Sequence, residues 1–169
     1  MPDRIIHLAS SLDLLVTDAP TPELGPELWQ LMDGRCRNWL LCDCAPAERE
    51  AVFGQSLARA RLCGIGLHRG KPFGVAWFVP FGPGAETWAC HIAALGRADA
   101  GLWLACGAAL LEHVEASLVC LIPAPLYGAA RLARRLGFME IATLPRACWL
   151  ASRGRCAGGR LMLKPERKQ

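Results

Sequence analysis

Long uncharged apolar runs are what this 169-residue chain most plainly lacks. Stretches without charge, such as residues 72–85, are broken by proline and glycine and fall short of the about 20 apolar residues that a membrane-spanning helix needs. No membrane span is expected. The opening Met1-Pro2-Asp3-Arg4 carries charge at once and has no apolar segment ending in small residues, so it does not read as an export signal, and a cytoplasmic location is expected. Cys-x-x-Cys pairs are also missing, although there are nine cysteines. Cys36, Cys42 and Cys44 cluster, but Cys42-Asp43-Cys44 has the wrong spacing for zinc and no nearby histidine, so no metal is expected. An odd cysteine count without an export signal argues for reduced thiols, and Cys63, Cys90, Cys106, Cys120 and Cys148 sit in apolar stretches, where a thiol acts as a small hydrophobe. Internal repeats, low-complexity segments and linkers are absent as well, which points to one domain over residues 1–169. With 53% hydrophobic against 20% charged residues, that domain can bury a core; a disordered tail is excluded.

Lysine is scarce: sixteen of the nineteen basic residues are arginine, a bias that goes with the abundance of alanine and glycine. The net charge of +4 hides an asymmetry. Residues 1–122 carry nine basic and thirteen acidic side chains, a balance of −4, whereas residues 123–169 carry ten and two, a balance of +8. A solvated basic face and a phosphate-binding patch are the two readings of that excess. Nucleic acid is not expected, because the basic residues are not interleaved with aromatics and no helix-turn-helix, zinc-finger or RNA-recognition signature is present.

Periodicity predicts a strand over residues 12–17 and a helix over 21–33, opened by Thr21-Pro22-Glu23 as cap, first-turn proline and favourable acid. A second helix is expected over 46–61, with Val52, Phe53, Leu57 and Ala60 at helical spacing. Three β-rich runs follow at 64–68, 73–81 and 87–95, the first two flanking the turn Arg69-Gly70-Lys71-Pro72, and together they read as an antiparallel meander. Next come a helix over 99–116, a buried strand over 118–122 and a helix over 126–136 that ends at Gly137. A closing hairpin is expected from 138–150 and 160–164.

That element order, with Ala129, Leu132, Leu136, Gly137 and Phe138 in the pattern Ala-x-x-Leu-x-x-x-Leu-Gly-Phe, resembles the GNAT (Gcn5-related) N-acetyltransferases. Residues 105–114 also resemble the helix after that family's cofactor loop, and His91-Ile92-Ala93-Ala94-Leu95 is similar to GNAT-like proteins found near phage genes. The resemblance covers residues 64–150, and the first third by element order alone. It implies an α/β fold with a mixed, mostly antiparallel central sheet and helices on both faces. It further implies transfer of an acetyl group from acetyl-CoA to a primary amine of a small molecule or peptide, with a homodimer left open. A GNAT-fold binding or assembly protein without activity is the alternative.

Candidate site residues follow from the resemblance and from strand alternation. Alternation puts Trp88, Cys90, Ile92 and Ala94 on one face of the third meander strand and His91 on the other. His91 is the first candidate base for the attacking amine, since an imidazole ordinarily titrates near neutrality, and Glu86 the second. The competing reading of His91 is a structural histidine. The family's tyrosine, which reprotonates the CoA thiolate, would fall at Ala133 here. The only tyrosine, Tyr127, lies six residues earlier, about 600° around a helix, and reads either as a replacement acid or as a structural residue. For the cofactor, the resemblance implies that main-chain groups around Ile92, Ala93 and Leu95 hold the pantetheine arm. Arg97 and Gly101 would meet the diphosphate, and Arg134, with Arg131 or Arg135, would add positive charge. Asp99 stands in that loop; as a helix cap its carboxylate would take the amides a phosphate needs. Trp29 and Trp39 fall in the region that covers the acceptor groove.

Overall fold

The computed structural model describes residues 4–18, 20–32, 34–39, 45–82, 86–150 and 154–166. Strands β1 (Arg4–Ala9) and β2 (Leu12–Thr17) form a hairpin, followed by helices α1 (Leu24–Leu31) and α2 (Gly34–Trp39). A 3-10 turn over Pro46–Glu48 leads into α3 (Arg49–Ala58). The expected meander is β3 (Leu62–His68), β4 (Lys71–Pro80) and β5 (Thr87–Ala94). Then come α4 (Ala100–Leu111), β6 (Ser117–Pro123), α5 (Tyr127–Arg135) and the hairpin β7 (Met139–Leu150) and β8 (Arg155–Lys164). The sheet runs β1-β2-β3-β4-β5-β6-β8-β7, and every neighbouring pair is antiparallel except β5 with β6.

Helices lie on both faces, as the resemblance implied. Leu28 and Trp29 of α1, Met32 just after it, and Phe53 and Leu57 of α3 pack with Ile65, Val75, Trp77 and Ala93 of the sheet. On the opposite face Cys106, Leu110 and Leu111 of α4 and Ala130 and Ala133 of α5 cover Leu14, Phe78, Leu118 and Met162. Each large side chain buried this way contributes about 1.5–3 kcal/mol. Close approach of α4 depends on glycine in the sheet: a Cβ on Gly74 would stand 2.0 Å from the Trp103 ring.

Several boundaries differ from expectation, each for a local reason. The edge strand β1 was not anticipated, because Ile5, Ile6 and Leu8 break strict alternation. Nor was α2, a short polar helix held by its neighbours: Arg37 donates to the carbonyls of Trp29 at 2.8 Å and Gln30 at 3.3 Å, and the buried Arg49 donates to the Arg37 carbonyl. Helix α1 starts after Glu23, and Thr21 serves as a turn residue whose carbonyl accepts from Leu24 N–H at 3.1 Å. Helix α4 stops at Leu111, five residues short of the expected end, where Glu112, His113 and Val114 close tight turns. The end of α5 matches: Gly137 has φ +90°, and Phe138 N–H reaches back to Ala133 while Gly137 N–H reaches Arg134, both at 3.0 Å. That double bond pattern needs a residue tolerant of positive φ.

Candidate functional site

Strands β5 and β6 pair over only three positions, Thr87 with Ser117, Trp88 with Leu118 and Ala89 with Val119. Beyond them β5 stays paired to β4 as far as Ala94, and β6 stays paired to β8 as far as Pro123. Each strand is held by its outer neighbour, so the two part and leave a fork with unpaired edges. Which groups face it follows from the antiparallel pattern, in which alternate residues exchange both main-chain bonds. Phe81 N–H donates to the Thr87 carbonyl at 2.8 Å and Leu95 N–H to the Phe73 carbonyl at 2.9 Å. Odd-numbered residues of β5 are therefore committed to β4, and the main-chain groups of Cys90, Ile92 and Ala94 face the fork. The Ala94 amide points at the Cys36 sulfur of α2, 3.2 Å away.

This register corrects part of the expected cofactor set. Ile92 lies on the open edge and is 44% exposed. Ala93 and Leu95 are buried, and their parity turns their main-chain groups toward β4, so they cannot hold a ligand in the fork. Cys90 and Ala94 share the open side of the strand with Ile92. The signal that finds them is parity, counted from the turn that sets the β4–β5 register.

On the α1/α3 face, His91 is half-buried and stacks on Trp77 with ring centroids 5.1 Å apart and planes at 20°. Trp77 is fully buried, donates from Nε1 to Ser56 Oγ at 2.9 Å, and meets Phe53 edge-on, which in turn packs on Trp29. A column of aromatic rings, Trp77 of β4, Phe53 of α3 and Trp29 of α1, thus backs the imidazole. Trp29 is part of that core and does not line a groove; the side chain of Trp39 lies outside the described residues. Glu86 stands apart from His91. It precedes β5 at the closed end, where its carbonyl accepts from Ser117 N–H, and five residues of extended chain, about 17 Å, separate the two.

In the loop between β5 and α4, Asp99 caps the helix. Its Oδ1 accepts from Gly101 N–H at 2.8 Å and Leu102 N–H at 3.0 Å. The Gly101 amide expected to meet a diphosphate is therefore taken by the chain's own carboxylate. Arg97 stays exposed beside it. On α5, Arg134 pairs with Glu140 at 2.7 Å, whereas Arg131 and Arg135 are exposed. Tyr127, first residue of α5, is 71% exposed and lies under the Arg160 guanidinium, 5.1 Å from the ring centre. Arg160 also donates to the Ala124 carbonyl at 2.6 Å. Ala133, at the family's tyrosine position, is buried beneath α5.

The buried thiols are not nucleophiles. Burial pushes Cys120 up to about 12 and, together with neighbouring Cys120, raises Cys90 further. Burial likewise lifts Cys63 to about 12 and Cys106 to about 11. At neutral pH these groups are protonated fillers. Cys42 and Cys44 lie outside the described residues.

No family model and no curated protein sequence matches the chain. Solved structures do. A crystal structure of RimL, a ribosomal L7/L12 alpha-N-protein acetyltransferase, superposes with a TM-score of 0.71 at 16% identity, over 96% of this chain and 94% of that one. A GNAT-family acetyltransferase from Streptococcus pneumoniae gives 0.61 at 18% identity, over 90% and 99%. The microcin C7 self-immunity acetyltransferase MccE, in complex with acetyl-CoA and AMP, gives 0.67 at 18% identity, over 95% of both chains. The chain has the GNAT fold.

Proposed function

We propose that the protein transfers an acyl group from a CoA thioester to a primary amine, using the fork between β5 and β6 as the donor site. The observation that carries this reading is the edge of Cys90 and Ile92, whose main-chain groups no neighbouring strand takes up and which, with the Ala94 carbonyl, offers amides and carbonyls spaced for an extended, amide-bearing arm. A bound pantetheine arm would add as a short strand, and an edge N–H aimed at the thioester oxygen would stabilise the charge that develops there. The amine approaches from the His91 face. Its neutral nitrogen adds to the thioester carbonyl carbon, the C–N bond forms, the C–S bond breaks, and sulfur leaves. His91 accepts the proton the nitrogen gives up. The leaving thiolate needs no dedicated acid: a thiol ordinarily titrates near ~8.5, so at neutral pH water reprotonates it. That removes the chemical objection raised by alanine at position 133.

The diphosphate is held by Arg97 and by Arg131 and Arg135 of α5 rather than by the Gly101 and Leu102 amides. The acceptor is a primary amine of a peptide or small molecule; the ribosomal-protein substrate in RimL's name makes a peptide α-amine the first to try. The reaction is read by following free thiol released from acetyl-CoA across a panel of such amines. His91→Ala should lower turnover by about 10²-fold, the usual order for a general base, with CoA affinity unchanged. Unchanged turnover would move the base to water.

A second reading is favoured by the Asp99 cap, which fills the helix N-terminus that would otherwise meet phosphate: a GNAT-fold binding or assembly protein without activity. CoA binding without thiol release for any amine would support it.

A further inference from the structure

On the α4/α5 face a cavity of about 60 Å³ lies between α4 and strands β3–β5. One water needs about 10–15 Å³ of such space, so several atoms fit. None of the lining side chains is charged or carries a hydroxyl, carboxyl or amide group. Among the side chains, only thiols and an indole N–H could partner a water, which looks for two to four polar groups. Three glycines form the floor, and large side chains settle over them: a Cβ on Gly66 would lie 2.5 Å from the Phe73 ring, and one on Gly64 2.6 Å from Leu110. The space those side chains leave is bordered by Cys90 and Ile92, two of the residues whose main chain faces the open fork. Ile92 is still 44% exposed, so it reaches from the cavity to the outside.

We infer that this cavity receives the alkyl tail of an acyl group longer than acetyl, and that the preferred donor is a short-chain acyl-CoA such as butyryl-CoA. The inference rests on the donor-site reading above. With the thioester carbonyl at the Cys90–Ile92 edge, the carbons beyond it meet the side chains of those same residues. An acetyl methyl ends at the mouth; two more methylenes enter space lined by apolar side chains.

The test is calorimetric titration with CoA, acetyl-CoA and butyryl-CoA. Two buried methylenes at about 0.8 kcal/mol each correspond to about fifteen-fold tighter binding of butyryl-CoA than of acetyl-CoA. Ala76 lines the cavity and pairs with Ile92 across the sheet, so Ala76→Leu fills it. In that variant the ratio should fall to near one, with CoA itself binding undiminished, which also reports that the variant is folded. Ala76→Val is the milder substitution if leucine prevents folding, and it should lower the ratio part of the way. Equal affinities in the wild-type protein, or a preference that survives filling, would overturn the inference. If CoA binds and chain length makes no difference, only the inference fails; if CoA itself does not bind, the donor-site reading fails with it.

Discussion

Asp99 sets how much of the loop after β5 a phosphate can use. Its carboxylate consumes two of the amides that a bare helix N-terminus would present, and it places a negative charge where a diphosphate would sit. Serine at this position keeps a cap and removes the charge. Asp99→Ser should therefore tighten CoA about fivefold, the equivalent of about 1 kcal/mol between unit charges some 4 Å apart in water. Titration of both proteins with CoA measures it, and equal dissociation constants would show that the diphosphate sits elsewhere. The buried thiols give a second expectation. Folding raises their pKa values, so the stability they contribute is complete below the unfolded value near ~8.5 and is lost as pH climbs toward the folded values. With Cys106 at about 11 and Cys63 and Cys120 at about 12, urea midpoints should hold to mildly alkaline pH and then decline. Cys63→Ala should make the decline shallower; a slope identical to wild type would remove burial of that thiol as its source.

At the scale of elements, β5 carries the most consequence, because one of its edges is closed by β4 and the other opens halfway along. Ile92 has its amide turned to the open side, so Ile92→Pro removes a donor from the fork without taking a bond from the β4–β5 ladder. Proline is tolerated in strands where the missing N–H faces outward. The expected outcome is a folded protein with CoA binding weakened by about tenfold, the order of one hydrogen bond at about 1.4 kcal/mol. Collapse of the fold would show instead that the amide is structural. The same strand shows what was readable in advance. Alternation placed His91 opposite Ile92 correctly. Which of its residues turn main-chain groups outward was not readable, because that depends on register with β4 and on where β6 departs. Gly137-Phe138 marked the end of α5 from the sequence alone, because a left-handed terminus demands glycine. Helix α2 left no such mark; it is held by Arg37 and Arg49 bonds to main-chain carbonyls, contacts between residues with no periodic pattern.

Over the whole molecule the positive excess after residue 122 falls on α5 and the β7–β8 hairpin, and part of it is spent internally. Arg134 and Arg160 converge on Glu140, at 2.7 and 3.8 Å, and Arg160 also covers Tyr127. Arg131 and Arg135 remain exposed on α5. The element order from the meander onward was legible because each element has its own period and its own stop. The fork was not, since it arises from two strands being pulled to opposite partners, a property of the closed sheet and not of any segment. Among the described residues no helix is long and apolar enough to cross a membrane.

Whether the fork holds CoA is the central question, and thermal unfolding with and without CoA answers it. A ligand that binds only the folded state stabilises it by about 2.7 kcal/mol at a hundred times its dissociation constant. A rise in the unfolding temperature that saturates with CoA concentration is expected. An unchanged transition at millimolar CoA would contradict the donor site, and acyl transfer with it.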